Sequence, residues 1–256
     1  MTMRKMFTSR AVWIGAFTLL LCGGCLWLLI VPTITSARRA HLMGVASTNE
    51  RFLRVACSVA KELYNKTGVA CRDLNEVVST AFFPFTVSIP PCAGSVQLTV
   101  VQQHGQVQWV GEWYHNSQSI FRRCTITTDE LPPAERTRRL LEAVVSGPKW
   151  WKAEIERVRL QVLEPQIEKR WLRYCDTPLI VKPLPPLPSE DVFEYREWLK
   201  SILGVRNLVD GWEREIHLEL INGRWRASSA GMDGIWKTSD DIVILGCSVA
   251  KRDGDM

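Results

Sequence analysis

Histidine is scarce in this chain, and so are the short motifs that announce an enzyme. The 256 residues include four histidines, His41, His104, His115 and His217, and no two stand at metal-ligand spacing. There is no G-x-S-x-G elbow, no phosphate-cradling glycine loop and no H-E-x-x-H pair. These absences remove the serine-hydrolase, nucleotide-binding and zinc-protease readings, and the expectation is a protein that is not an enzyme. An enzyme with its site in the middle of the chain stands as a distant third reading. A concentrated block of positive charge is missing too. Lys and Arg outnumber Asp and Glu by 32 to 27 but are spread along the chain, whereas a nucleic-acid binder gathers them on one element. No nucleic-acid partner is expected.

Charge is absent altogether from one stretch. Ala11 to Val31 carries none, while Arg4, Lys5 and Arg10 precede it and Arg38 and Arg39 follow. Twenty-one helical residues span roughly a bilayer's hydrocarbon core. The expectation is a single-pass transmembrane helix at 11–31 behind a basic leader at 1–10. The basic excess on the N-terminal side orients that leader to the cytoplasm and the remainder outside it, in the periplasm. A cleaved signal would have a shorter apolar region. Cys22-Gly-Gly-Cys25 suggests a lipoprotein signal, but apolarity continues past Cys25 through Leu26 to Ile30. Six cysteines remain beyond it: Cys57, Cys71, Cys92, Cys124, Cys175 and Cys247. An even set in an exported domain suggests disulfides, with free buried thiols as the alternative.

The chain beyond residue 31 is rich in structural signals. Leu42, Val45, Phe52, Val55, Val59 and Leu63 fall near helical spacing, predicting a helical stalk over 32–80 with a stop at Gly68 and further helical turns at Asp73–Ser79. Val96, Leu98 and Val100 alternate with polar residues, and Gln106–Tyr114 alternates again after His104-Gly105. With Ile120–Thr127 these make a small antiparallel meander. Trp109 and Trp113 on one face of the second strand read as core, with a sugar-stacking face as the other option. Pro132-Pro133 opens a helical region over 134–163 that Pro165 should break or kink. The proline-rich run 182–188 is a stiff connector. Ser189 can cap a helix that ends at Gly204. Near the C-terminus, Asn222-Gly223 marks a two-residue hairpin.

The sharpest local feature is the loop Ser229-Ala-Gly-Met-Asp233-Gly234-Ile-Trp-Lys-Thr-Ser-Asp240-Asp241-Ile242. Three carboxylates share one short loop that two glycines allow to reverse. Such a loop is either a solvated acidic turn or a site for a hard cation such as Ca²⁺. Its spacing is not that of an EF-hand.

The order Asp210-Gly-Trp212, Ile216, Glu219-Leu, Ser229-Ala-Gly-Met-Asp233-Gly234 and Asp240-Asp241-Ile242 resembles the C-terminal segment of the major pseudopilin of type II secretion, over about 35 residues. Leu63-Tyr64 and Leu74 are similar to the family's stalk-end pattern. The resemblance implies an α+β, pilin-like fold: a transmembrane helix continuing into a stalk, then antiparallel β segments. The region 81–205 would be an insertion and 206–256 the calcium-loop segment. It implies Ca²⁺ held by Asp233, Asp240 and Asp241, with Ser229 as a weaker ligand. The implied role is a membrane-anchored component of a secretion or pilus-type assembly, with pilin-like or secretion-system partners. The alternative is a stand-alone anchored binding protein for a partner or glycan. The chain departs from the family in the insertion, at the usual stalk-end Pro, which Cys71 or Arg72 replaces, and at both ends. No Glu stands in the apolar run, and Glu213 replaces the second glycine of the lead-in.

Overall fold

The structure is a computed structural model that describes residues 3–71, 73–86, 94–115, 121–162, 171, 173–175 and 180–246, with several side chains of the first helix and that of Leu74 left out. Helix α1 runs from Met3 to Thr67 as one element of 65 residues. It is followed by α2 (Leu74–Ser79), β1 (Phe85–Thr86), β2 (Ser95–Gln103), β3 (Gln106–Tyr114) and β4 (Phe121–Asp129). Then come α3 (Pro133–Val145), α4 (Gly147–Val162), β5 (Ile180–Val181), α5 (Val192–Leu203), β6 (His217–Ile221), β7 (Arg224–Ser229) and β8 (Ile242–Leu245). The chain forms two compact units, 1–45 and 46–256.

In the unit 1–45, α1 continues through Pro32. Proline withholds one amide from the helical ladder, yet no break separates an anchor from a stalk. Thr35 Oγ1 lies 2.9 Å from the carbonyls of both Val31 and Pro32, within reach of a hydrogen bond to either. Among the described residues, no helix is long and apolar enough to cross a membrane. That overturns the transmembrane helix expected at 11–31, and with it the inner-membrane location read from that segment. About half of the side chains over 11–31 lie outside the described residues. Gly15, Thr18, Gly23 and Gly24 lie within the stretch, and Pro32 follows it.

In the unit 46–256, the rest of α1 is core. Phe52, Leu53, Ala56, Cys57, Val59, Ala60, Leu63 and Tyr64 are buried, a stripe at helical spacing. Each fully buried large apolar side chain here contributes about 2 kcal/mol. The helix packs on the sheet β2-β3-β4, an antiparallel meander with register Trp109↔Val100 and Gly111↔Cys124. Tyr64 meets Trp109 edge to face at 5.6 Å between ring centroids and accepts the Leu131 amide at 2.9 Å through its hydroxyl. Gly111 sets how closely helix and strand approach. A Cβ there would lie 2.9 Å from Leu53 Cδ2 and 3.3 Å from Cys57 Sγ. Trp109 and Trp113 are fully buried, so they pack the core and do not form a sugar-stacking face.

The C-terminal sheet has the order β6-β7-β8, antiparallel throughout. Helix α3 covers β7 and β8, and α5 packs on β6. Tyr195 stands 4.2 Å from the Trp225 ring and donates to the Val144 carbonyl at 2.6 Å. Helix α5 is capped by Asp191, which accepts the Glu194 amide, and not by Ser189 two residues earlier as expected; it ends at left-handed Gly204. Lys182 donates to the carbonyls of Val78 and Thr80, where α2 ends and its carbonyls lack helical partners. Burial first, and the nearby Arg159 charge second, pull the Lys182 ammonium down to about 8.

The cysteines also correct an expectation. Cys57, Cys71 and Cys124 are free and buried, so three bridges among six cysteines do not form. They pack as small apolar groups. Cys175 is disulfide-bonded, and Cys92 and Cys247 lie outside the described residues, as does the break expected at Pro165.

Candidate functional site

The loop 230–241 joins β7 to β8, and a lead-in at 208–216 braces it from below. Asp210 is the hub of that lead-in. It is buried, and its Oδ1 accepts the amides of Trp212 and Arg214, both at 2.9 Å. Its Oδ2 accepts the Ser229 hydroxyl at 2.5 Å. Arg214 then reaches across, donating to the carbonyls of Gly231 and Met232. One carboxylate and one guanidinium thus tie the lead-in to the first half of the loop. Charge-assisted bonds of this kind are about twice as strong as neutral ones.

Gly231 closes the loop on itself. It holds φ +64°, and a Cβ there would strike the carbonyl and Oδ2 of Asp240. The bare backbone lets the two ends of the loop meet. Asp240 Oδ2 accepts the Asp233 amide at 3.0 Å, Asp233 Oδ1 accepts the Ile235 amide at 2.8 Å, and Asp241 Oδ2 accepts the Lys237 amide at 2.7 Å.

The three expected carboxylates converge on Thr238. Its Oγ1 lies 2.6 Å from Asp240 Oδ1 and 3.4 Å from Asp233 Oδ1 and from Asp241 Oδ1. It is also 2.9 Å from the Ile235 carbonyl. A threonine hydroxyl has one proton to donate, and four acceptors surround it. The Thr238 hydroxyl, and then the Asp233 amide, hold the Asp240 carboxyl down to about 2. Asp240 is therefore ionised at neutral pH. No ion pair to Asp233, Asp240 or Asp241 is present among the described residues.

The donor set is all oxygen, which suits Ca²⁺ in kind. It is not a closed cage. Among the described residues, no three His, Cys, Asp or Glu side chains are gathered closely enough to hold a metal ion. Ser229 stands apart from the cluster, its hydroxyl engaged by Asp210. The structure thus turns three of the four expected ligands toward Thr238, without gathering them closely enough to hold an ion by themselves, and places the fourth in the brace.

Sequence reasoning missed Thr238 and gave Asp210 no role. Asp210 carried a signal, since it heads the lead-in motif. Thr238 carried none, because an isolated threonine in a loop has no distinctive spacing. Glu213 is the other finding. It holds φ +66°, a left-handed conformation that suits glycine, at the place where the pseudopilin lead-in has its second glycine.

His217 is exposed, and its Nε2 lies 2.7 Å from Glu219 Oε1. A cleft of about 1050 Å³ opens beside the lead-in, bordered by Asp73, Glu76, Arg136, Asp210 and Glu213 among others. Comparison with protein-family models, curated proteins and solved structures finds no match to this chain.

Proposed function

We propose that this protein is a non-catalytic structural or interaction subunit of a secretion or pilus-type assembly, pseudopilin-like in its C-terminal segment, whose loop 230–241 is completed by Ca²⁺. The observation that carries the reading is the excess of acceptors around Thr238. Three carboxylate oxygens and a carbonyl face a single hydroxyl proton, and a cation relieves that imbalance where a second proton cannot. Asp233, Asp240 and Asp241 would hold the ion, which would neutralise their mutual repulsion. Asp210, Arg214 and Ser229 keep the loop mouth in place without binding it. The left-handed turn at Glu213 supports the likeness of the lead-in, because the backbone there does what a glycine would do.

The loop tip supports an interaction role. Met232, Ile235 and Trp236 are exposed, on a loop whose backbone is pinned from within. A loop fixed in shape by a cation and carrying apolar side chains outward presents a preformed contact for a protein partner.

The test is thermal unfolding of the purified protein with Ca²⁺ at millimolar level and with excess chelator. The expected result is a higher Tm with Ca²⁺, and loss of that difference in the variant combining Asp240→Ala with Asp241→Ala. Equal Tm values for the wild type in both conditions would overturn the calcium assignment. The assembly role is tested separately by chemical cross-linking in cells: failure to capture either a second copy or another protein would sink it.

A further inference from the structure

The edges of the two three-stranded sheets are not alike. In the first sheet, β2 carries Gln97, Gln102 and Gln103, and β4 carries Arg122, Arg123 and Asp129. In the second, β6 carries His217 and Glu219. The opposite edge, β8, is Ile242-Val243-Ile244-Leu245, with no charged or polar side chain. Edge strands are normally blunted by charge, proline or a bulge, because an open ladder accepts another strand. Val243 and Leu245 are exposed, at 46% and 63%, and Ile242 and Ile244 are half-buried.

The backbone shows which groups are open. The Gly246 amide donates to the Trp225 carbonyl at 2.7 Å. Bonded and non-bonded pairs alternate along an antiparallel ladder, so Ile244 bonds to Ala227 and Ile242 to Ser229. Val243 and Leu245 therefore turn their amides and carbonyls away from β7. Among the described residues, nothing bonds to those two amides.

We infer that β8 pairs antiparallel with β8 of a second copy of this chain, joining two C-terminal sheets into one across a two-fold axis at Ile244. Such an axis, perpendicular to the sheet, keeps every side chain on its own face only when residues of like parity stand opposite each other. Ile244 opposite itself meets that condition and sets Val243 opposite Leu245, the two residues with open backbone groups. Each then bonds amide to carbonyl with the other, on both sides of the axis. Val243 packs on Leu245 across the seam, and Ile244 on Ile244. Charge agrees with this register. Ile242 falls opposite Gly246 of the second copy, which is bound to Trp225. Asp241, one residue before Ile242, thus arrives beside Arg224 of the second copy, about two strand spacings or roughly 10 Å away between Cα atoms. Arg224 is exposed, and neither it nor Asp241 has an ion pair among the described residues of its own copy. The symmetry makes that contact twice. The pairing uses the backbone of β8 and not the loop tip, and it needs no Ca²⁺.

Sedimentation velocity of the full-length protein over a rising concentration series should show a monomer passing to a dimer. Val243→Pro removes an outward amide and no bond to β7, a place where an edge strand tolerates proline. Leu245→Lys puts like charges at the seam. Each should raise the dimer dissociation constant about tenfold or more. Hydrogen exchange of the wild type, read by mass spectrometry, locates the seam. The peptide covering 242–246 should exchange fast when dilute and slowly when concentrated, with the other sheet edges unchanged. A monomer at every concentration overturns the pairing. So does a dimer that both variants leave intact, or one that forms without slowing exchange at 242–246. Protection independent of concentration would mean that the chain covers its own edge, and protection only alongside a co-purifying protein would mean a foreign strand. Either result overturns the second copy as occupant. The exchange measurement uses the wild type alone, so it decides even where a variant fails to fold.

Discussion

At Gly111 the chain lays a helix against a sheet through apolar atoms; at Gly231 it brings the two ends of a loop together through carboxylates and amides. Both closures depend on a missing Cβ, with Leu53 and Cys57 pressed against the first and Asp240 against the second. The materials behave differently. The seam under Gly111 is held by burial, which is non-directional and insensitive to ions. The loop over Gly231 is held by a small number of directed bonds to ionised groups, and its acceptors outnumber its donors. The first is therefore a source of stability, and the second a place where a ligand can add stability.

Substitutions should separate the two. The largest effect is expected at the seam. Gly111→Val drives a branched side chain into Leu53 and Cys57, and overpacking of this kind costs about 3 kcal/mol. Urea denaturation should show it, with no dependence on Ca²⁺; a neutral result would mean that α1 shifts freely on the sheet. Asp210→Ala comes next. It strips the partners from the Trp212 and Arg214 amides and the Ser229 hydroxyl, an expected loss of about 2 kcal/mol. Because Asp210 braces the loop, this variant should also weaken the calcium response, which Gly111→Val should not.

Glu213→Gly is expected to move the other way. A non-glycine residue in the left-handed region is strained by about 1 kcal/mol, and removing the strain should raise the urea midpoint without changing the slope. The smallest effect belongs to Asp240. Its carboxyl is lowered in the folded state from 3.8 to about 2, so the stability it contributes is full above pH 3.8 and is lost as pH falls through 2. Asp240 is only half-buried, so solvent screens it and the effect is modest. Acid titration of the unfolding midpoint should show a shallower fall between those values in Asp240→Asn.

Local chemistry was legible where it acts through neighbours in sequence. Asn222-Gly223 gives the hairpin because both residues take positive φ, 50° and 71°, as the tight turn demands. Alternation marked β2 and β3, and Gly204 ended α5 where expected. The membrane anchor, read from a run without charge, is not supported by any helix among the described residues. The three-bridge set was misread because an even number of cysteines says nothing about distance. Of the candidate site, the carboxylates could be named from the loop alone, but Thr238 at their centre and Ser229 in the brace could not.

The sequence by itself determined the periodic elements, the turns and the composition of the acidic loop, since each follows from residues within a few positions of one another. Only the tertiary structure decided that Leu53 and Cys57 lie over Gly111, that Asp210 holds Ser229, and that four acceptors share one hydroxyl proton. These depend on how closely backbones approach, and that approach is set by side chains that are absent at Gly111 and Gly231.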